Sequence, residues 1–157
     1  MKIILFLSLL IWVIPGFGKV KIQKPRSQHV TAFAIIVDEM TLEKTGGAVE
    51  AYRDALEADG LSTYIVSGNW KNPDEVKAEI IKLNKRKPVL EGVVFIGDIP
   101  VALIRNAQHM TTAFKMNEDE FPFPESSVPS DRFYDDLHLT FDFICQDSVN
   151  TSHFYYK

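Results

Sequence analysis

Carboxylates dominate the residues of this chain whose types and spacing could do chemistry. Asp38 closes the apolar run Thr31-Ala-Phe-Ala-Ile-Ile-Val37, and Asp98 closes Gly92-Val-Val-Phe-Ile96-Gly97. The segment Ser130-Asp131-Arg132-Phe133-Tyr134-Asp135-Asp136 adds an arginine among three more carboxylates. Acids at strand ends can bind a cation, orient a histidine or hold a basic substrate group. They can equally accept backbone N–H groups in the turn that follows each strand. Asp38, Asp98 and Asp131 are therefore the candidate binding residues. Asp131, Asp135 and Asp136 form an oxygen-rich cluster of a kind that holds calcium, although EF-hand spacing is lacking and Arg132 opposes a cation. An ion-paired turn is the alternative reading of that cluster.

Nucleophilic chemistry is less well supplied. Cys145 is the single cysteine, and a nearby imidazole could turn its thiol into the reactive thiolate. In Leu139-Thr-Phe-Asp-Phe-Ile-Cys145, however, Cys145 alternates with Leu139, Phe141 and Phe143, which predicts a core thiol on an apolar face. His29, His109, His138 and His153 share no metal-ligand spacing and are expected at the surface. Gly46-Gly47 follows no strand and lacks a Lys-Ser/Thr pair, so it reads as a flexible helix entry and not as a phosphate cradle.

The elements that must position these groups follow from periodicity. A polar, basic lead spans residues 19–30, and the buried strand ending at Asp38 follows it. Ala48, Val49, Tyr52, Ala55 and Leu56 recur at helical spacing between Gly46-Gly47 and Gly60. Ser62–Val66 is a second strand, and Asn72-Pro73-Asp74-Glu75 supplies the cap, proline and acids that open a second helix. Val76, Ile80 and Leu83 are its apolar stripe, and Pro88 stops it before the strand that ends at Asp98. Alternating strands and helices with connections of this length predict an α/β fold, a three-layer sandwich around a mostly parallel sheet. Beyond Asp98 the rhythm weakens, and residues 121–129 carry three prolines, as a surface loop would. A last strand is expected over Leu139–Cys145.

The amino terminus has a different logic. Met1-Lys2, an apolar run from Ile3 to Ile14 and Pro15-Gly16-Phe17-Gly18 have the layout of a secretory signal peptide. A twelve-residue apolar helix covers only about 18 Å of a hydrocarbon core about 30 Å thick. Residues 1–18 are therefore expected to be removed, with no membrane span left afterwards. Losing them removes one lysine, and the remaining balance of 16 basic against 21 acidic residues is a poor counterion for phosphates. Nucleic acid is not an expected partner. A single cysteine precludes an intrachain disulfide, so packing must stabilise one domain of residues 31–157. Asn150-Thr151-Ser152 is a glycosylation sequon, meaningful only in a eukaryotic secretory route.

Taken in order, the signal peptide, Phe33–Val37, Val93-Val-Phe-Ile-Gly-Asp98-Ile-Pro100 and Ser130-Asp131-Arg-Phe-Tyr134-Asp-Asp136 resemble the gingipain-like cysteine peptidases. The resemblance covers most of residues 33–146. Within the caspase-like or flavodoxin-like class of sandwich that the strand–helix order predicts, it implies a caspase-like fold, an exported bacterial protein (periplasmic, cell-surface or secreted), frequent stabilisation by calcium, and a peptide or protein substrate for the full-length protein. It also implies a Cys-His dyad, with the histidine in a Gly-His-Gly segment and the cysteine one strand later. No histidine here is flanked by glycines, so no residue inherits a catalytic role. Residues 31–157 are expected to be the amino-terminal part of the peptidase-like domain, with the remainder of that domain as a partner and an unpaired sheet edge left where it would join. The alternative is a non-catalytic exported binding domain that uses the strand-end crevice and the acidic turn. A receiver module disagrees with export, and an α/β-hydrolase would need a Gly-x-Ser-x-Gly elbow.

Mass spectrometry of the exported protein is expected to show a chain beginning near Lys19. An intact Met1 would refute cleavage.

Overall fold

The computed structural model describes residues 20–105 and 120–157. The expected signal peptide, the expected cut near Lys19 and His109 lie outside the described residues. Two four-stranded mixed sheets and the helices between them form an α/β fold. In the first sheet, β1 (Lys21–Gln23), β2 (Thr31–Asp38), β3 (Leu61–Gly68) and β4 (Val89–Ile96) are arranged in the order β1-β3-β2-β4. The pairs β2–β3 and β2–β4 are parallel, while β1 runs antiparallel to β3.

The pleat of β2 explains how the helices α1 (Glu39–Ala58) and α2 (Pro73–Asn84) flank this sheet. Ala32, Ala34 and Ile36 point to one face, where they meet Val76, Ile80 and Leu83 of α2. Ile35 and Val37 point to the other, where they meet Val49 of α1. Asn72 caps α2 as expected, its side chain accepting the N–H of Glu75 at 2.9 Å.

The start of α1 differs from expectation. Asp38 is its N-cap, so the helix begins directly where β2 ends and runs through Gly46 and Gly47 without a loop. The Asp38 cap and the packing of Leu42, Val49 and Leu56 against the sheet outweigh the two glycines. The buried face of α1 is also rotated. Val49, Arg53 and Glu57 are buried, whereas Ala48, Tyr52 and Ala55 are exposed. The basic lead causes this, because it lies across the helix: Glu57 accepts the N–H groups of Arg26 and Ser27, both at 2.9 Å. Arg26 in turn donates to Asp54 at 2.8 Å and Glu50 at 3.1 Å.

The second sheet corrects the expectation of one mostly parallel sheet. A parallel neighbour needs a crossover of about a dozen residues or more, and residues 97–100 are too few. The chain therefore leaves the first sheet and forms β5 (Val101–Ile104), with β6 (Val128–Pro129), β7 (Phe143–Gln146) and β8 (His153–Tyr156) in the order β6-β5-β8-β7. Only β5–β8 is parallel within it. Two one-turn helices, α3 (Phe123–Ser126) and α4 (Arg132–Asp135), occupy the proline-rich and acidic stretches. The expected strand over Leu139–Cys145 shrinks to β7, an edge strand on which Phe143 is 57% exposed and Cys145 only half-buried. An irregularity between Phe143 and Cys145 breaks the alternation that placed the thiol in the core.

Aromatic packing joins the two sheets. The Phe133 ring lies 4.6 Å from that of Tyr156 and 5.3 Å from that of Phe141, while Tyr134 stacks at 4.8 Å on Phe95 of β4. The Tyr156 hydroxyl donates to Asp74 at 2.6 Å, pinning β8 to the first turn of α2. Among the described residues, no helix is long and apolar enough to cross a membrane. Tyr156→Phe keeps the ring and loses only this hydrogen bond. Urea unfolding is expected to show a loss of about 1 kcal/mol, and an unchanged midpoint would refute the tie.

Candidate functional site

The chain passes from β2 to β3 on one side and returns across β2 to β4 on the other, so the connections diverge at the carboxyl ends of β2 and β4. Such a switch point opens a crevice in parallel sheets. Here it has a volume of about 330 Å³ and is lined by Asp38, Glu39, Glu43, Asn69, Trp70 and Asp98 among others. Two of the three sequence-derived binding residues, Asp38 and Asp98, are thus brought together. Asp131 is not, because it lies beside α4 at a separate cavity of about 200 Å³.

Asp38 is committed to backbone donors. One oxygen accepts the N–H of Thr41 at 2.9 Å, and the other accepts the N–H of Asp98 at 2.8 Å. Burial opposes its ionisation, yet the hydrogen bonds from the hydroxyl and N–H of Thr41 and from Asp98 hold its carboxyl below the usual value. The turn beyond β4 is shaped around this anion. Gly97 has φ of +87°, and a Cβ there would overlap the Asp38 carboxylate. The Gly-Asp pair thus carries a backbone function: glycine admits the carboxylate, and the next residue donates to it. Asp98 keeps an exposed side chain at the crevice mouth.

Trp70 forms the crevice wall. It is 8% exposed, and its indole N–H donates to the carbonyl of Val37 at 3.1 Å. Glu39 is paired with Lys21 at 3.0 Å, which leaves Glu43 and Asp98 as the exposed acids beside Met40. The crevice has the chemistry to receive a cationic group against an apolar wall.

The proposed calcium ligands do not converge. Asp136 accepts the N–H groups of His138 at 3.1 Å and Leu139 at 3.3 Å, so it closes an Asx-type turn. Asp135 faces Arg132 at 4.0 Å, the geometry of a loose, exposed ion pair. Asp135 and Asp136 line an open cavity of about 640 Å³ with Lys85 and Arg132, away from the cavity of Asp131. Among the described residues, no group of three or more His, Cys, Asp or Glu is placed to hold a metal ion.

The group that holds the acidic turn is one that pattern reading missed. Lys77 of α2 donates to the carbonyls of Leu139 at 2.9 Å and Asp136 at 3.4 Å, and sits about 5 Å from the ring centres of Phe133 and Phe141. Burial lowers its pKa, although Asp136, Asp74 and Asp135 oppose that shift. In the sequence it is merely the polar residue after Val76, and only the partner loop gives it a role.

The β7–β8 hairpin also gathers polar side chains. Asp147 accepts the N–H groups of Val149 at 2.8 Å and Asn150 at 2.9 Å, and the Tyr155 hydroxyl at 2.9 Å. The N–H groups of Asn150 and Val149, followed by Tyr155, hold its carboxyl below the ordinary value. His153 pairs its Nε2 with the Asn150 amide at 3.0 Å, so the imidazole is engaged in the turn and does not activate Cys145 through that nitrogen.

No family model, curated protein or solved structure matches the chain.

A depressed carboxyl contributes stability above the unfolded-state pKa, about 4 for Asp, and loses it as the pH falls through the lower folded value. Asp38→Asn is expected to cost about 1–3 kcal/mol at neutral pH, because an amide N–H₂ would face the N–H of Asp98 or Thr41. The stability difference from the parent should narrow below pH 4. A pH-independent difference would refute the assigned role.

Proposed function

We propose that this chain is the amino-terminal portion of an exported gingipain-like cysteine endopeptidase, and that it does not hydrolyse peptides by itself. The single observation that carries the reading is the end of β4. There the motif Gly97-Asp98-Ile99-Pro100 closes a parallel strand, and Asp38 from the neighbouring strand anchors it. The order of the other elements supports the same reading, since α1 and α2 cover opposite faces of β2–β4 as in a caspase-like sandwich, and Asp131–Asp136 follows in its expected place. Export, with a periplasmic, cell-surface or secreted destination, belongs to the same proposal and rests on residues 1–18. Peptide or protein substrates belong to the full-length protein.

A second reading is favoured by the crevice of Glu43, Asp98 and Trp70. In it the chain is a non-catalytic exported domain that binds a cationic group there.

Two measurements test these readings, and the second separates them. Hydrolysis of a peptide library by the chain alone is expected to be absent, and hydrolysis abolished by Cys145→Ala would overturn the first reading. Sequencing the gene beyond Lys157 is expected to reveal a Gly-His-Gly segment followed by a cysteine, whereas a stop codon there would favour the binding domain.

A further inference from the structure

β4 pairs with β2 on one side, and among the described residues no strand or backbone hydrogen bond occupies its other edge. Natural sheets blunt such edges with lysine, proline or inward charges. The run Gly92–Ile96 has none of these, and every residue in it is only half-buried. This edge is therefore built to be covered.

Its surroundings indicate what covers it. Two small cavities flank β4 on the side of α4. One, of about 200 Å³, is lined by Phe95, Pro129, Asp131 and Tyr134, and the other, of about 150 Å³, by Leu90, Glu91, Val93, Tyr134 and Asp135. Both fall below the range of small-molecule sites, about 300–1,000 Å³, and each suits one side chain. Tyr134 stands between them, held by the hydrogen bond from its hydroxyl to the carbonyl of Pro100 at 2.6 Å. The cavities lie about four residues apart along β4, or about 13 Å at the rise of a strand. The charged residues lining them are Glu91, Asp131 and Asp135, and no lysine or arginine is among them.

We propose that the free edge of β4 binds an extended segment of another polypeptide by strand addition. Main-chain hydrogen bonds to β4 supply affinity, and alternate side chains supply specificity. The segment carries two valine-sized apolar residues four positions apart, a small residue between them to pass over Tyr134, and basic residues outside them to meet Glu91 and Asp131. This proposal rests on the second reading, the binding domain, since in the peptidase reading the remainder of the domain would pair along this edge.

The probe is a fluorescein-labelled nonapeptide, Lys-Thr-Val-Thr-Thr-Thr-Val-Thr-Lys, titrated against the chain by anisotropy. Replacing both valines with aspartate is expected to weaken binding at least tenfold. The exposed pair Glu91→Lys and Asp131→Lys should weaken it about tenfold and instead favour a peptide whose terminal lysines are replaced by glutamate. Hydrogen exchange of the amides of Val93–Ile96 should slow on adding the parent peptide. Binding indifferent to the charge reversal, or no slowing at these amides, would overturn the proposal. So would protection of β4 without peptide in a concentration-dependent dimer, which would assign the edge to a second copy. The titration and exchange measurements are independent of the hydrolysis test, whereas a Gly-His-Gly segment and cysteine beyond Lys157 would also overturn the proposal, by assigning the edge to the remainder of the domain.

Discussion

The two oxygens of Asp38 accept one N–H from the start of α1 and one from the turn that leaves β4. A single anion thereby fixes the angle at which the helix departs from the sheet and the register at which the next strand ends beside it. The consequences spread from there. Because Asp38 is itself the cap, α1 needs no connecting loop, and because its carboxylate fills the space beside Gly97, the turn must be glycine at a positive φ. The crevice over the carboxyl ends of β2, β3 and β4 exists because the Asp38 carboxylate holds the ends of β2 and β4 together and because Trp70, which follows β3, walls it with an indole tied to Val37 of β2.

The departure of the chain after Gly97 divides the molecule. A crossover would have placed the next strand against β4, but a turn of four residues cannot make one. β5 therefore starts a separate sheet, and aromatic side chains of α4 and β8 fill the space between that sheet and α2. Lys77 is central to this junction. Its ammonium caps carbonyls of the acidic turn while its position near two rings compensates part of its lost hydration. The turn that looks like a cation-binding cluster is in fact organised by a protein cation acting on its backbone, while its carboxylates face different directions. Among the described residues, the same division leaves β4 paired on one side alone, near cavities that the second sheet and α4 help to wall.

Much of this was legible in the residues. The apolar runs before Asp38 and Asp98 do form parallel neighbours, and Asn72-Pro73-Asp74-Glu75 opens a helix as its cap chemistry requires. Asp38 and Asp98 do meet at one crevice, for the general reason that parallel strands align their carboxyl ends. The less accurate expectations share a cause. Gly46-Gly47 looked like a helix boundary because intrinsic propensity ignores the cap two turns earlier, and Ala48, Tyr52 and Ala55 looked like the covered face because the lead segment that covers Arg53 and Glu57 instead is distant in sequence. Cys145 looked buried because alternation was assumed to persist through an irregular strand.

The sequence by itself determined the local elements: the identity of the first strands and helices through periodicity, and the start of α2 through its cap and proline. These depend on residues within one or two turns of each other, whose preferences are written in adjacent positions. Only the tertiary structure decided that the chain splits into two mixed sheets, that Asp38 accepts the distant N–H of Asp98, and that Lys77 organises the acidic turn. Each of those outcomes joins groups about 60 residues apart or depends on the geometry of a short connection, and neither is encoded in any local pattern.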